Sequence, residues 1–258
     1  MQAFETALPE QRRRLLLDLL AQDGRIVAAE ISRKLDVSED TVRRDLNELA
    51  AAGQLRRVHG GALPLTPAAQ PFAHRQHAGD VHRAAFATAL AGLIRPGETV
   101  LLDGGTTMLA TAQALPRDLT ATIITPNLPA AVALIDHPQI DLIVLGGSVD
   151  KREQITSGIA TWEAIANLSV DLCLLGVCSL DAVGGLMEMT QDEARLKARM
   201  VQSAGRVVTA AAASKLGTRA PFRVGPITLL TSLVTEPDIP GETLDPYRQA
   251  GIDIHFAA

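Results

Sequence analysis

Residues 38–62 read SEDTVRRDLNELAAAGQLRRVHGGA. Ser38 stands where a helix N-cap belongs, because its hydroxyl can accept from an unpaired backbone N–H of the first turn. Glu39 and Asp40 follow, where the helix dipole favours negative charge. Val42, Leu46 and Leu49 recur at helical spacing and predict an inward apolar face. Gly53 is the expected terminator. The outward face carries Thr41, Arg43, Arg44 and Asn47, side chains able to bond to base edges or phosphates in a major groove.

Working outward, Ala28, Ile31 and Leu35 form a second amphipathic segment, and Asp36 and Val37 make a short turn into the helix at Ser38. Before that, Leu16, Leu19 and Leu20 line a first helix beginning near Arg12. Three short helices with a tight turn between the last two predict a helix-turn-helix. Residues 54–58 then read as a short strand, and Gly60 and Gly61 supply a turn. Arg56, Arg57 and His59 fall where a basic wing lies beside the phosphate backbone. The expected partner is double-stranded DNA.

The whole chain is not basic. It carries 24 Lys and Arg against 29 Asp and Glu, a net charge of -5 over 258 residues. Ten residues of each sign fall within positions 1–65, so the acidic excess belongs entirely to the remainder. DNA binding therefore depends on local placement of Arg43, Arg44, Arg56 and Arg57, not on a global field. No apolar run is long enough to span a membrane. The first ten residues lack the charged and apolar regions of a signal peptide, so a cytoplasmic location is expected. Cys173 and Cys178 read as small core residues, without a histidine nearby to complete a metal site. No cofactor or metal is expected.

Residues 63–73 read LPLTPAAQPFA. Pro64, Pro67 and Pro71 oppose helix and favour an extended linker. This predicts a DNA-binding domain over 1–63, a linker over 64–73 and a larger domain over 74–258. The larger part alternates strand-like runs at 99–103, 121–125, 142–145, 172–177, 207–211, 228–231 and 252–256 with helix-like stretches at 107–114, 128–135, 159–166 and 192–204. Most strand runs are continuously apolar, as expected for strands covered on both faces. The fold class is α/β with a mostly parallel sheet. Ligands of such sheets sit beyond the carboxyl ends of the strands.

The first strand-to-helix loop is LLDGGTTMLA. Asp103 ends a strand, Gly104 and Gly105 permit a tight turn, and Thr106 and Thr107 open a helix. Backbone donors at a helix start, with two hydroxyls, suit a phosphate or other anion. Asp103 would repel a phosphate and can instead accept from sugar hydroxyls.

The run from Arg12 to Leu63 resembles the N-terminal signature of DeoR-type transcriptional regulators, VSxDTxRRDLxxL followed by an RVHGGA-like wing. The resemblance extends through the larger domain. It covers the D-[SG]-G-T-T loop, ITPNL at 124–128, LGG at 145–147 with Gly158, DLCLLGVCSLD at 171–181, and SKLG at 214–217. It implies a ribose-phosphate-isomerase-like sensor domain and a small-molecule effector such as a sugar phosphate. It implies repression of a carbohydrate-utilisation operon, relieved by that effector. Asn127, Gly146 and Gly147 fall on its ligand loops. Lys215 and Arg83 are its candidate phosphate contacts. Glu193 and Lys197, at i and i+4, read as a helix-face ion pair. Two positions depart from the pattern. Ala212 replaces an aspartate, and Thr125-Pro126-Asn127 shifts an amide by one position.

An isomerase-like enzyme is the alternative. Isomerisation needs a carboxylate base with a second group to shuttle protons. The sequence offers no loop with paired carboxylates beside a basic residue, and Asp103 has no evident partner, so a non-enzymatic role is expected. One winged head reads few bases, which predicts a homodimer or homotetramer. Trp162, the sole tryptophan, reads as a packing residue.

Overall fold

A computed structural model describes residues 9–23, 26–52, 54–58, 60–64, 70–77 and 82–257. The chain divides into two compact units, Met1–Pro71 and Phe72–Ala258.

The first unit contains α1 (Pro9–Asp23), β1 (Ile26–Val27), α2 (Ala28–Leu35), α3 (Glu39–Ala51), β2 (Leu55–Val58) and β3 (Gly61–Pro64). Leu16, Leu20, Ile31, Leu35, Val42, Leu46 and Leu49 close one apolar core between the helices. Ser38 caps α3, its hydroxyl accepting from Thr41 N at 3.1 Å. The preceding turn is made by Asp36 in the left-handed region, φ 50°. Strands β1, β3 and β2 form a small antiparallel sheet in that order, the wing. Helix α3 ends at Ala51, and Gly53 lies outside the described residues.

The second unit opens with α4 (Phe72–His77), which begins inside the stretch 64–73 expected to be extended. Phe72 is fully buried, so its side chain anchors a helix where proline spacing opposed one. There follow α5 (Arg83–Ala91), β4 (Thr99–Leu102), α6 (Thr106–Gln113), β5 (Ala121–Thr125), α7 (Leu128–Leu134) and β6 (Ile140–Val144). A hairpin, β7 (Ser148–Asp150) and β8 (Ile155–Ser157), leads to α8 (Ile159–Ala166) and β9 (Val170–Leu175). Next come β10 (Ser179–Asp181), β11 (Gly185–Glu188), α9 (Gln191–Gln202), β12 (Ala204–Ala210) and β13 (Phe222–Gly225). The unit closes with β14 (Ser232–Thr235), α10 (Gly241–Gln249) and β15 (Asp253–Phe256).

Seven strands form one sheet in the order β15-β14-β12-β9-β4-β5-β6, and every described pairing in it is parallel. The chain builds outward from β4 through β5 to β6. It then returns to the other side of β4 and builds outward again from β9. The switch in direction lies between β4 and β9, where open α/β sheets bind ligands. The strand expected at 228–231 is displaced. Ile227–Leu229 is a 3-10 turn, and the strand begins at Ser232. The run 228–231 reads as strand-like, but Pro226 opens the turn. The hairpin and the three-stranded antiparallel group β10-β11-β13 were not anticipated.

Candidate functional site

Two sets of residues carry chemistry, one in each unit. In the first unit, α3 presents Arg43, Arg44 and Asn47 to solvent, with Thr41 half-buried. Thr41 shares its hydroxyl with Ser38, 2.8 Å apart, so both serve the cap. Arg43 pairs within its own helix with Glu39 at 2.9 Å and Asp40 at 3.4 Å. Such exposed pairs contribute well under about 1 kcal/mol and are easily exchanged for phosphate. Arg57 donates to Asn47 Oδ1 at 2.9 Å and to the carbonyl of Gly61, joining the wing to the outward face of α3. Arg44 is exposed and carries no ion pair among the described residues. The Arg56 side chain and all of His59 lie outside the described residues.

A feature missed in the sequence holds α3 in place. Asp45 is buried on its inner face and receives Arg12 of α1 in a two-pronged ion pair, Nε and Nη2 on the two carboxylate oxygens. The Asp45 hydrogen bonds raise the Arg12 guanidinium above its ordinary range. Asp45 is three residues after Val42 and four before Leu49. That spacing is the signal that it faces inward.

In the second unit the carboxyl ends of β4 and β9 converge. Asp103 follows β4 and is 1% exposed. Its Oδ2 accepts from Gly176 N, just beyond β9, at 2.8 Å. A Cβ at Gly176 would stand 2.9 Å from Gly104 O and 3.2 Å from Asp103 Oδ2, so only glycine permits this approach. Lys197 of α9 reaches the same point. Its Nζ lies 3.0 Å from Asp103 Oδ2 and 2.9 Å from Glu188 Oε1, and it donates to Gly176 O at 2.7 Å.

Lys197 therefore corrects two expectations. Its ion-pair partners are Asp103 and Glu188, not Glu193, whose carboxylate accepts instead from the Thr190 hydroxyl at 2.8 Å. Paired carboxylates do meet a basic residue here, drawn from three separate elements. Burial opposes the charge on Lys197, but Asp103, Glu188 and Glu193 outweigh it and hold the ammonium above the ordinary lysine range. Burial raises Glu188, against the pull of Lys197. Asp103 Oδ1 is the exception in this network. It is buried and has no hydrogen-bond partner among the described residues.

The DGGTT turn lies against this cluster. Gly105 takes φ 101° at the N-cap of α6, and among the described residues no side-chain cap is formed there. Its first N–H groups thus remain available to an anion. Thr106 is buried and Thr107 half-buried in the first turn. Asn127 does not face the crevice. It is fully buried, caps α7 through Ala130 N at 3.1 Å, and donates to the carbonyls of Asp103 and Gly105 at 3.2 Å each. The amide shifted by Pro126 thus supports the loop from behind. Gly146 and Gly147 are exposed, and Gly146 O accepts from Thr161 Oγ1 at 2.7 Å.

Lys215 folds back on Val177 O at 2.7 Å. Burial lowers its ammonium; Glu188 and Cys178 oppose this, and Lys197 and Arg75 add smaller repulsions. Arg83 donates to the carbonyls of Gln76 and Arg75 at 3.0 and 2.6 Å, closing the last turn of α4. A second basic residue beside the loop, after Lys197, is Arg75, whose Nη1 stands 4.0 Å from the position of a Cβ on Gly105. Arg75 pairs with Glu153 of the β7–β8 connection, and its Nε is buried without a partner among the described residues. The loss of an aspartate at Ala212 does not empty the neighbourhood of carboxylates. Glu236, buried at the end of β14, accepts from Ala213 N at 2.8 Å and approaches His82 at 3.6 Å.

Both cysteines are free and buried. Trp162 is half-buried against the core. Among the described residues no group of His, Cys, Asp and Glu is arranged to hold a metal, and no helix is long and apolar enough to cross a membrane.

Residues 12–67 match the DeoR-like helix-turn-helix domain, and residues 80–237 match the DeoR C terminal sensor domain. The chain belongs to the DeoR family. This DeoR-family protein is 31% identical over 227 residues to the glycerol-3-phosphate regulon repressor of Escherichia coli, covering 88% of this chain and 90% of the relative. It is 30% identical over 250 residues to the HTH-type transcriptional regulator GlpR of Haloferax volcanii, covering 96% and 97%. It is 30% identical over 229 residues to the transcriptional repressor GlcR of Bacillus subtilis, covering 88% of each. Among solved structures, the full-length sorbitol operon regulator SorC of Klebsiella pneumoniae aligns with TM-score 0.44 and 12% identity, covering 94% of this chain and 100% of that one. Ribose 5-phosphate isomerase A of Methanocaldococcus jannaschii aligns with TM-score 0.37 and 16% identity over 52% of each chain. This protein is a DNA-binding transcriptional regulator with a small-molecule sensor domain, not an enzyme.

Proposed function

We propose that this DeoR-family protein represses a carbohydrate-utilisation operon and is released from its operator by a small phosphorylated polyol or sugar. The observation that carries this reading is Asp103 Oδ1. Among the described residues it is a buried acceptor without a partner, at the switch between β4 and β9, beside a helix start without a side-chain cap. A buried unpaired acceptor costs about 1–3 kcal/mol. A ligand hydroxyl would recover that cost, and the N–H groups of α6 with Arg75 and Lys215 would receive the phosphate. Lys197 offsets part of the negative charge of Asp103 and Glu188 and so weakens the repulsion of the acidic pair for an anion. The name of one relative, a glycerol-3-phosphate regulon repressor, supports a small phosphorylated compound as effector.

DNA contact is assigned to Ser38, Thr41, Arg43, Arg44 and Asn47 of the α3 segment, with Arg56, Arg57 and His59 of the wing. The protein acts as a dimer or tetramer that sets two heads on repeated half-sites. The spacing between half-sites would be about one helical turn of 10–10.5 bp or a multiple of it.

A thermal-shift screen of the full chain against sugar phosphates, polyol phosphates and their unphosphorylated parents tests this reading. One phosphorylated compound should raise Tm in a dose-dependent way, its parent should not, and Lys215→Ala should abolish the shift. The absence of a shift from every phosphorylated compound would reject the reading.

A further inference from the structure

We propose that Glu153 is a built-in stand-in for the effector's phosphate, occupying Arg75 until the ligand arrives and displaces it. The inference rests on the phosphorylated-effector reading and specifies how that site is regulated.

Three observations converge on it. Arg75 and Glu153 lie 78 residues apart, yet their side chains are only 20% and 12% exposed and are joined by an ion pair. A guanidinium has five donors in a planar fork suited to two acceptors at once. Here Nη2 goes to Glu153, Nε is buried without a partner among the described residues, and Nη1 points toward the Gly105 turn. The fork is thus only partly used among the described residues, and its Nη1 lies 4.0 Å from the Cβ position of Gly105, the N-cap of α6. Finally, the Glu153 segment is seated on the ligand loops themselves. Gln154 O accepts from Leu128 N at 3.1 Å, Thr156 N donates to Pro126 O at 2.9 Å, and an Ile155 methyl lies 2.8 Å from the Cβ position of Gly104.

A ligand phosphate brings three acceptor oxygens and more charge than Glu153. It would draw Arg75 from the β7–β8 connection toward Gly105. Arg75 lies on α4, the first element after the segment that joins the two units, and Phe72 N of that helix donates to Arg152 O at 3.0 Å. The exchange therefore changes how the start of the sensor unit is held. Glu153 is also a reluctant anion. Burial raises its carboxyl above the ordinary range, Glu193 of α9 and Asp150 of β7 add to this, and Arg75 and Arg152 oppose it.

The apparent affinity of a site whose competent state is only partly populated falls by that fraction. If Arg75 is free of Glu153 about a tenth of the time, Glu153→Gln should bind phosphate about tenfold more tightly than wild type. The experiment is calorimetric titration of the full chain with inorganic phosphate and with glycerol 3-phosphate, on wild type, Glu153→Gln and Glu153→Gln/Arg75→Ala. A tenfold gain in the single variant that vanishes in the double variant is the expected result. Unchanged or weaker binding by a folded Glu153→Gln, with wild type binding normally, overturns the stand-in and leaves the effector reading intact. Absence of binding by wild type and variants alike, to these probes and to the screened phosphates, overturns both. Hydrogen exchange on wild type supplies a test that needs no variant. Bound phosphate should speed exchange at residues 151–154 while slowing it at 104–108. Slower or unchanged exchange at 151–154 would also overturn the stand-in.

Discussion

At the scale of single residues, Lys197 holds the most consequential position. Among the described residues it is the one cation paired with both Asp103 and Glu188, both buried, and removing it leaves two carboxylates facing each other without an ion-pair partner. Breaking a buried pair in this way costs about 3–5 kcal/mol. Lys197→Met, which keeps the apolar stem, should lower the urea midpoint of the second unit accordingly. The pH dependence has a definite sign. Burial already raises Glu188, so the folded state binds that proton more readily than the unfolded chain. Stability from such a group is gained as pH falls and lost as pH rises. Without Lys197 this preference strengthens, so the variant's deficit should be greatest near neutrality and shrink toward pH 5. A deficit independent of pH would mean that the carboxylates are not what Lys197 compensates. This residue also marks a limit of sequence reading. Glu193 is four residues away and gave the familiar helix-face pattern, whereas Asp103 and Glu188 reach Lys197 only through the order of strands. Arg75 escaped notice for the same reason, since its partner is 78 positions distant and its helix begins among prolines. Asp103 itself was legible, because a carboxylate followed by two glycines and two threonines declares a strand-to-helix turn without tertiary information.

At the scale of elements, the recognition helix was legible because its signals are local. The Ser38 cap, the acidic first turn and the spacing of Val42, Leu46 and Leu49 all lie within twelve residues, and α3 forms over Glu39–Ala51. Helix α8 likewise spans the expected 159–166. Strand ends were less legible where turn chemistry competed, as at Pro226, and the small antiparallel group β10-β11-β13 is defined by pairings that no local pattern reports. Two predictions belong to α3. Ser38→Ala removes the acceptor for Thr41 N and should cost about 1 kcal/mol, read as a lower unfolding midpoint of the first unit alone. Arg44→Ala should leave that midpoint unchanged, because its side chain is exposed and without an ion pair among the described residues. It should instead weaken operator binding by about 1–3 kcal/mol while changing binding to random duplex far less. Equal losses on both duplexes would move Arg44 from base readout to phosphate contact.

At the scale of the whole molecule, one unit ends at Pro71 and the other begins at Phe72, and the proposed function has the effector and the operator bind to different units. Any influence of one site on the other is a coupling free energy, and it must be reciprocal. If the effector weakens operator binding by a given factor, saturating operator must weaken effector binding by the same factor. Typical couplings of about 1–3 kcal/mol correspond to factors of about 5–150. The measurement is titration of the full chain with its stabilising phosphorylated compound, alone and with a saturating operator duplex. A duplex of equal length and scrambled sequence, present at the same concentration, is the control. The operator should reduce effector affinity by the factor seen in the opposite experiment, and the scrambled duplex should reduce it less. The acidic excess beyond residue 65 bears on the control. DNA brought near a negatively charged unit raises the cost of binding an anionic ligand whatever its sequence, and salt screens that contribution. Raising ionic strength should therefore erase the effect of the scrambled duplex and leave the operator's effect standing. If both effects vanish together, the coupling is general electrostatics. If the operator's effect survives, an element with two arrangements links the sites, and α4 with its Arg75 is where the chain itself enters the sensor unit.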